Sequence, residues 1–441
     1  MSKKILIKKI IKPFNKTIEI EGDKSLSIRW ALLASQAIGK STSMNLLKSQ
    51  DVISTLKCLK KLGVKVHMNK KKCEILGMGI NGYNYKKNIV LNAGNSGTLA
   101  RLIMGLLIHS KNKIKINGDK SLSNRDFLRV SRPLGRFGAK IKTNLGKLPL
   151  TIEGTENPKP IKYYEDKGSA QCKSAIMLAA LNTEGQTIIK AKKSRDHTEI
   201  LFKYLGIPIK ITKKINYDFI KIRGKNKISK LNYRIPSDIS SSAFFIVLTA
   251  LSKNSKLRIK NVNINPTRIG LIKILKQMGV NIKFKNLKKY KGEKVADIYV
   301  ESTKFLRGIN CPPDLNSSAI DEFLIIFLVA AKAKGISYFK NLSELNQKES
   351  PRLKIGSKIL NMIGIKTKLT NHSIKIYGQP NLKPKKNYEV KNYLKDHRIF
   401  MMTTIMALTF GGNWKIYDPD SIKTSFPSFL KIVKSLGGKI K

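Results

Sequence analysis

The chain has 441 residues, enough for two or three domains, and at 41% hydrophobic residues it carries the apolar content for sizeable cores. Cys58, Cys73, Cys172 and Cys311 form no Cys-x-x-Cys pair, and the histidines show no ligand spacing. That excludes a disulfide scaffold and a structural metal, and points to a reduced, cytoplasmic protein with a formal charge of +58.

Residues 1–13 are basic, but no uninterrupted apolar core and no small-residue cleavage site follow, so no secretory signal is expected. A strand-like stretch covers residues 5–20. Gly22-Asp23-Lys24-Ser25 then opens a helix with Leu26, Trp30, Leu33 and Ala37 at helical spacing. Its end, Ala34-Ser35-Gln36-Ala37-Ile38-Gly39-Lys40-Ser41, fits a loosened phosphate-loop pattern. A working phosphate loop opens a helix after a buried strand, whereas this one closes a helix, so Gly39 is expected to be a helix stop. Asn95-Ser96-Gly97-Thr98 opens a second helix, with Leu99, Leu102, Ile103, Leu106 and Leu107 on one stripe. Ser169-Ala170-Gln171, Ser240-Ser241-Ser242, Ile320-Asp321-Glu322 and Asp396-His397-Arg398 open four more. Alternating strands such as Lys113-Ile114-Lys115-Ile116 and Leu257-Arg258-Ile259-Lys260 separate the helices. The apolar run at residues 323–331 is too short to span a bilayer, and no membrane association is expected.

A second series of helices stops at Gly63, Gly138, Gly206, Gly279, Gly364 and Gly437, each with a strand pattern after it. Both series recur at roughly 70 to 85 residues, the mark of an internally repeated fold. Six units of strand, helix, strand, helix and strands predict an α/β (α+β) architecture with three units per domain. The crossover is expected near Pro236-Ser237-Asp238. This divides the chain into a discontinuous domain, 1–22 with 237–441, and a second domain, 23–236.

Lysine is spread along the whole chain and aromatic content is 7%, so no specific nucleic-acid partner is expected. A positive field would still steer small anions. Helix N-termini carry unpaired N–H groups and partial positive charge, and several brought together would hold strongly anionic molecules. Lys24 and Arg29 lie in the first turns of their helix and suit an anion site or a solvated basic face. Gly97 lets a ligand approach the backbone, and Arg125 adds a cation. Asp321 either complements a helix dipole or, beside an apolar run, serves as a desolvated general base. Arg352 and Arg398 suit bidentate clamps on carboxylates.

Taken together these motifs resemble the 3-phosphoshikimate 1-carboxyvinyltransferase, or EPSP synthase, family. The resemblance runs from Gly22 to Phe429. It rests on Gly22-Asp23-Lys24-Ser25 with Arg29, Asn92-Ala93-Gly94-Asn95-Ser96-Gly97-Thr98 with Arg101, Ser169-Ala170-Gln171 with Lys173-Ser174, and Ser194-Arg195-Asp196-His197-Thr198-Glu199. It continues through Asn265-Pro266-Thr267-Arg268, Ile320-Asp321-Glu322, Lys348-Glu349-Ser350 with Arg352, Asp396-His397-Arg398 and Ser425-Phe426-Pro427. It implies a two-domain inside-out α/β barrel, each domain three βαβαββ repeats, with a cleft that closes on substrate. The implied reaction transfers the enolpyruvyl group of phosphoenolpyruvate to the 5-hydroxyl of shikimate 3-phosphate and releases phosphate. This is a step of the shikimate pathway, in chorismate and aromatic amino-acid biosynthesis. By the same resemblance, Lys24, Ser25, Arg29, Ser169, Ala170, Gln171, Ser194, Asp321 and Lys348 would bind shikimate 3-phosphate. Lys24, Gly97, Arg125, Gln171, Arg352 and Arg398 would bind phosphoenolpyruvate. Asp321 would take the hydroxyl proton, and Lys24 or Glu349 would protonate the methylene carbon. No metal or organic cofactor is implied, and the chain is expected to be a monomer. Relatives with glycine at position 97 are generally sensitive to glyphosate. Lys423 stands one place earlier than the family's lysine before Phe-Pro. The sister transferase acting on UDP-N-acetylglucosamine has Lys-Asn where this chain has Lys24-Ser25, and usually a catalytic-loop cysteine, absent here between Lys111 and Asp126. The other rival is a non-catalytic polyanion-binding protein.

Overall fold

The computed structural model describes residues 3–224, 227–384 and 386–441. Its strands form six small sheets, built on one plan. In the clearest case Val90–Asn92 runs parallel to Ile114–Asn117, with helix Gly97–Leu106 between them. Strand Lys147–Glu153 then pairs antiparallel with Ile114–Asn117, and Lys140–Asn144 with Lys147–Glu153. A parallel pair needs a crossover, while an antiparallel pair needs only a turn. The repeat is therefore βαβαββ. The next copy keeps the same order: Lys162–Glu165, helix Ala170–Leu181, Gln186–Lys192, helix His197–Tyr204, Ile209–Lys213 and Tyr217–Arg223.

The chain divides into two compact units. One is nearly contiguous, Gly22–Ile235 with Tyr290–Glu293. The other is split, Met1–Glu21, Pro236–Lys289 and Lys294–Lys441. In the contiguous unit Ile38–Met44 takes its parallel neighbour from Tyr233–Arg234, almost two hundred positions later. In the split unit Asn15–Glu19 pairs in parallel with Lys256–Asn263, and Lys4–Ile7 pairs antiparallel with Asn413–Tyr417. The single strand expected over residues 5–20 is thus two strands in different sheets. Pro13 lies between them and has no N–H to give a ladder.

Helices that are apolar all round belong in a core. In the split unit Ile239–Leu251, Phe323–Lys332 and His397–Phe410 are buried over nearly their whole length and pack on one another. In the contiguous unit Gly97–Leu106 and Ala170–Leu181 are buried in the same way and pack together. No described helix is long and apolar enough to cross a membrane.

The caps agree with the polar openings, with three differences. Asp23, Ser96, Ser169 and Asp396 each accept a first-turn N–H. In the fourth opening the cap is Asp238, so Ser240-Ser241-Ser242 lie inside the first turn of their helix. Glu322 sits at the cap position of Phe323–Lys332 but its side chain does not cap it. Gly39 is not the residue that ends its helix. Ala37 is the C-cap, and Gly39 lies inside strand Ile38–Met44 with φ +89°. The six glycine stops all have positive φ, the left-handed turn by which a helix reverses into a following strand. After Gly437 no strand forms. Instead Lys441 exchanges two backbone hydrogen bonds with Leu6, at 2.7 and 3.1 Å.

Candidate functional site

In the contiguous unit the side chains gather around the first two turns of helix Ala170–Leu181. On one side of it Gln171 Oε1 accepts from Arg101 Nη1 at 2.6 Å, and Gln171 Nε2 donates to Thr98 Oγ1 at 3.0 Å. Gly97 begins the adjacent helix. A Cβ built on it would stand 3.1 Å from Arg125 Nη1 and 3.2 Å from Arg101 Nη1, so two guanidinium groups converge over a bare backbone. On the other side Ser174 Oγ accepts from Arg29 Nη2 at 3.0 Å and lies 2.7 Å from Thr198 Oγ1. Arg29 also donates through Nε to Thr198 Oγ1 at 2.8 Å and through Nη1 to the Ser25 carbonyl at 3.1 Å. Beside Ser174, buried Lys173 pairs with Glu199 at 2.5 Å. The helix thus ties Gly97, Arg101 and Arg125 to Ser25, Arg29 and Thr198. Ser169 and Ala170 form its start, with Ser169 Oγ accepting from the Cys172 N–H. Ser194 precedes helix His197–Tyr204, and its buried Oγ has no hydrogen-bond partner among the described residues.

Lys24 stands at the start of its own helix and pairs with Asp51 Oδ2 at 2.9 Å. Asp51 was not a sequence candidate. It lies in the first turn of Gln50–Lys61, where an acid reads as a dipole complement. Only the fold brings it to a lysine 27 residues earlier.

In the split unit the residues gather at three helix starts. Asp321 Oδ1 lies 3.4 Å from Lys348 Nζ and 4.0 Å from Arg352 Nη1, and the Asp321 carbonyl accepts from Arg398 Nη1 at 2.6 Å. Arg352 is fully buried and doubly bonded to Asp396, at 2.9 Å from Nε and 3.2 Å from Nη2, and it also bonds Glu349. Burial alone would raise the Asp396 pKa, but the Arg352 guanidinium, with His397 and the hydrogen bonds, holds it below the ordinary carboxylate value. Burial pulls the Arg352 pKa down, and the carboxylates of Asp396, Glu349 and Asp321 outweigh it, so the guanidinium stays charged. Asp396 also accepts from the Arg398 N–H and from Ser350 Oγ, so Ser350, Arg352 and Arg398 are all fixed to one carboxylate.

Glu322 was expected beside Asp321 as a charge at a helix start. Its Oε1 instead accepts a 2.5 Å bond from Ser240 Oγ, which in turn accepts from Arg268 at 2.8 Å. It serves as an internal brace. Lys423 forms an exposed pair with Asp420 at 2.7 Å. The structure therefore brings Asp321, Lys348, Glu349, Arg352 and Arg398 together in one unit. It gathers Ser25, Arg29, Gly97, Arg125, Ser169, Ala170 and Gln171 in the other. Both groups are cation-rich and hold carboxylate or hydroxyl partners at helix N-termini, an arrangement able to bind phosphates and carboxylates.

Comparison with known proteins gives a consistent result. A family model described as EPSP synthase (3-phosphoshikimate 1-carboxyvinyltransferase) matches residues 8–433. The 3-phosphoshikimate 1-carboxyvinyltransferase of Vesicomyosocius okutanii is 40% identical over 98% of this chain and 98% of its own length. That of Hydrogenovibrio crunogenus is 37% identical over 95% of this chain and 94% of its own length. The solved EPSP synthase of Acinetobacter baumannii superposes with a TM-score of 0.87 at 34% identity, covering 100% of this chain and 99% of that one. The enolpyruvyl transferase NikO of Streptomyces tendae shares the fold, at a TM-score of 0.78 and 14% identity over 100% of this chain and 99% of that one.

Proposed function

The chain belongs to the EPSP synthase (3-phosphoshikimate 1-carboxyvinyltransferase) family, and on that premise we propose that it transfers the enolpyruvyl group of phosphoenolpyruvate to the 5-hydroxyl of shikimate 3-phosphate, releasing phosphate. The supporting observation is the end-to-end family match together with two cation-rich clusters at helix N-termini, one of which surrounds a carboxylate, Asp321.

Lys24, Ser25, Arg29, Ser169, Ala170, Gln171 and Ser194, with Asp321 and Lys348, bind shikimate 3-phosphate. Ser194 Oγ is a donor with no hydrogen-bond partner among the described residues, which suits a phosphate oxygen. Arg125, Gln171, Arg352, Arg398 and Lys24 bind phosphoenolpyruvate, and Gly97 leaves room for it. The chemistry is addition followed by elimination. Protonation of the methylene carbon by Lys24 or Glu349 makes the adjacent carbon electrophilic. Asp321 takes the 5-hydroxyl proton as that oxygen adds. Loss of a methyl proton and of phosphate then restores the double bond. The Asp321 carboxylate is oriented by Lys348 and Arg352 and its backbone is held by Arg398, which supports a positioned base at this residue. The chain works as a cytoplasmic monomer without an organic cofactor.

Phosphate release from purified protein tests the assignment. It should require both phosphoenolpyruvate and shikimate 3-phosphate, and activity with UDP-N-acetylglucosamine in place of the shikimate would overturn it. Asp321→Asn should lower turnover by ~10²–10⁴-fold while shifting phosphoenolpyruvate affinity far less. Near-normal turnover would remove Asp321 from the base role.

A further inference from the structure

We propose that the outward face of one sheet in the contiguous unit binds single-stranded nucleic acid without sequence preference, apart from the enzyme's reaction. The sheet has the order Lys162–Glu165, Gln186–Lys192, Tyr217–Arg223, Ile209–Lys213. Side chains alternate across a sheet. Glu165, Ile189, Ala191, Ile220 and Ile222 point into the unit and are buried. The opposite parity carries three rings, Tyr164, Tyr217 and Phe219, and Tyr164 is 50% exposed. It also carries the cations Lys162, Lys190, Lys192, Lys210, Lys221 and Arg223. The carboxylates of these strands, Glu165 and Asp218, both fall on the other parity.

The register places rings and cations side by side. Tyr164 stands opposite Lys190, and Lys190 opposite Phe219. Lys190 Nζ lies 4.7 Å from the Tyr164 ring centre and 4.5 Å from that of Tyr217. Tyr217 and Phe219 meet edge to face at 5.2 Å. In the neighbouring row Lys221 stands opposite Lys210. Aromatic faces stack bases of any sequence, and lysines flanking them neutralise phosphates, releasing counterions. The charge of the whole chain does not by itself argue for this. The sheet of Val90–Asn92, Ile114–Asn117, Lys147–Glu153 and Lys140–Asn144 also carries outward lysines, Lys115 and Lys142, but its strands contain no aromatic residue. Rings and cations on a parity without carboxylates distinguish the proposed face from that sheet.

The test is fluorescence anisotropy of a labelled oligouridylate with the full-length protein across a potassium chloride series. The logarithm of affinity should fall linearly with that of salt. Tyr164→Ala and Phe219→Ala should each weaken binding about 5- to 150-fold at unchanged salt slope. Lys221→Gln should make the slope shallower by about 0.7. Lys115→Gln with Lys142→Gln should leave the affinity within about twofold, and phosphate release should be normal in every variant. Ring variants that bind like wild type would overturn the proposal, as would an equal loss in the lysine controls. Phosphatidylserine vesicles that capture wild type but not Tyr164→Ala, with no oligouridylate binding, would assign the face to a lipid surface and also overturn it.

Discussion

The octapeptide Gly-Asp-Lys-Ser-Leu-Ser-x-Arg occurs at residues 22–29 and again at 118–125, and the two copies share a start but not an outcome. In each the aspartate caps the helix, with Asp23 accepting from the Leu26 N–H at 2.9 Å and Asp119 from the Leu122 N–H at 2.8 Å. The first copy runs on as the 13-residue helix Lys24–Gln36, while the second stops after the 4 residues Lys120–Ser123. The difference lies in the residues C-terminal to the shared turn. Trp30-Ala31-Leu32-Leu33-Ala34 continues an apolar run that the core buries completely, whereas Asn124-Arg125-Asp126 interrupts the helix. Identical local chemistry therefore builds identical first turns, and tertiary burial decides their extension. It also decides the fate of the cations. Lys24 is paired with Asp51 and Arg29 is bonded to Thr198 and Ser174, while Lys120 is exposed and Arg125 lies beside Gly97.

Removing the matching lysines should separate the two copies most strongly. Lys24→Ala should lower turnover by ~10²–10⁴-fold if the amine protonates substrate, and Lys120→Ala should change it less than about twofold. Equal effects on phosphate release would show that the two copies are functionally alike. Arg125→Ala comes next. Loss of a charge-assisted contact should raise the phosphoenolpyruvate Michaelis constant roughly 10- to 150-fold and leave that for shikimate 3-phosphate nearly unchanged. A shift in the second constant instead would place Arg125 with Arg29. Gly97→Ala puts a methyl within 3.1 to 3.2 Å of two guanidinium groups, so both must give by a few tenths of an ångström. The glyphosate inhibition constant should rise by roughly 5- to 150-fold, and more than the phosphoenolpyruvate Michaelis constant. An insensitive wild type, or equal weakening, would refute that placement. The smallest effects belong to the caps. Asp23→Ala should cost about 1–2 kcal/mol and Asp119→Ala about 0.5 kcal/mol, read from urea midpoints. The reverse order would mean that helix length does not set the value of the cap.

Much of the fold was legible because its signals are local. Asp23, Ser96, Ser169 and Asp396 announce helix starts, and Gly63 and Gly279 announce stops, since each satisfies a backbone need that few residues meet. The split of residues 5–20 between two sheets was not legible, because the partners Lys256–Lys260 and Trp414–Tyr417 lie hundreds of positions away. The same holds within the candidate site. Arg29, Gly97 and Asp321 stand in recognisable clusters. Asp51 and Glu322 look like ordinary charges in first turns until the fold gives them Lys24 and Ser240. The ring-and-lysine face was hidden by a low overall aromatic content, which says nothing about how Tyr164, Tyr217 and Phe219 are placed across strands.

The borrowed strands carry a consequence for the order in which a ribosome delivers this chain. Lys4–Ile7 and Asn15–Glu19 emerge long before their sheet partners, which are not translated until Trp414–Tyr417 and Lys256–Lys260. The contiguous unit comes out next and, apart from Tyr290–Glu293, holds everything it needs by Ile235. It can therefore consolidate while the earlier strands still wait, their unpaired edges exposed. The run from Lys8 to Lys12 carries three lysines between those strands, and like charge there discourages such edges from pairing with a neighbouring nascent chain.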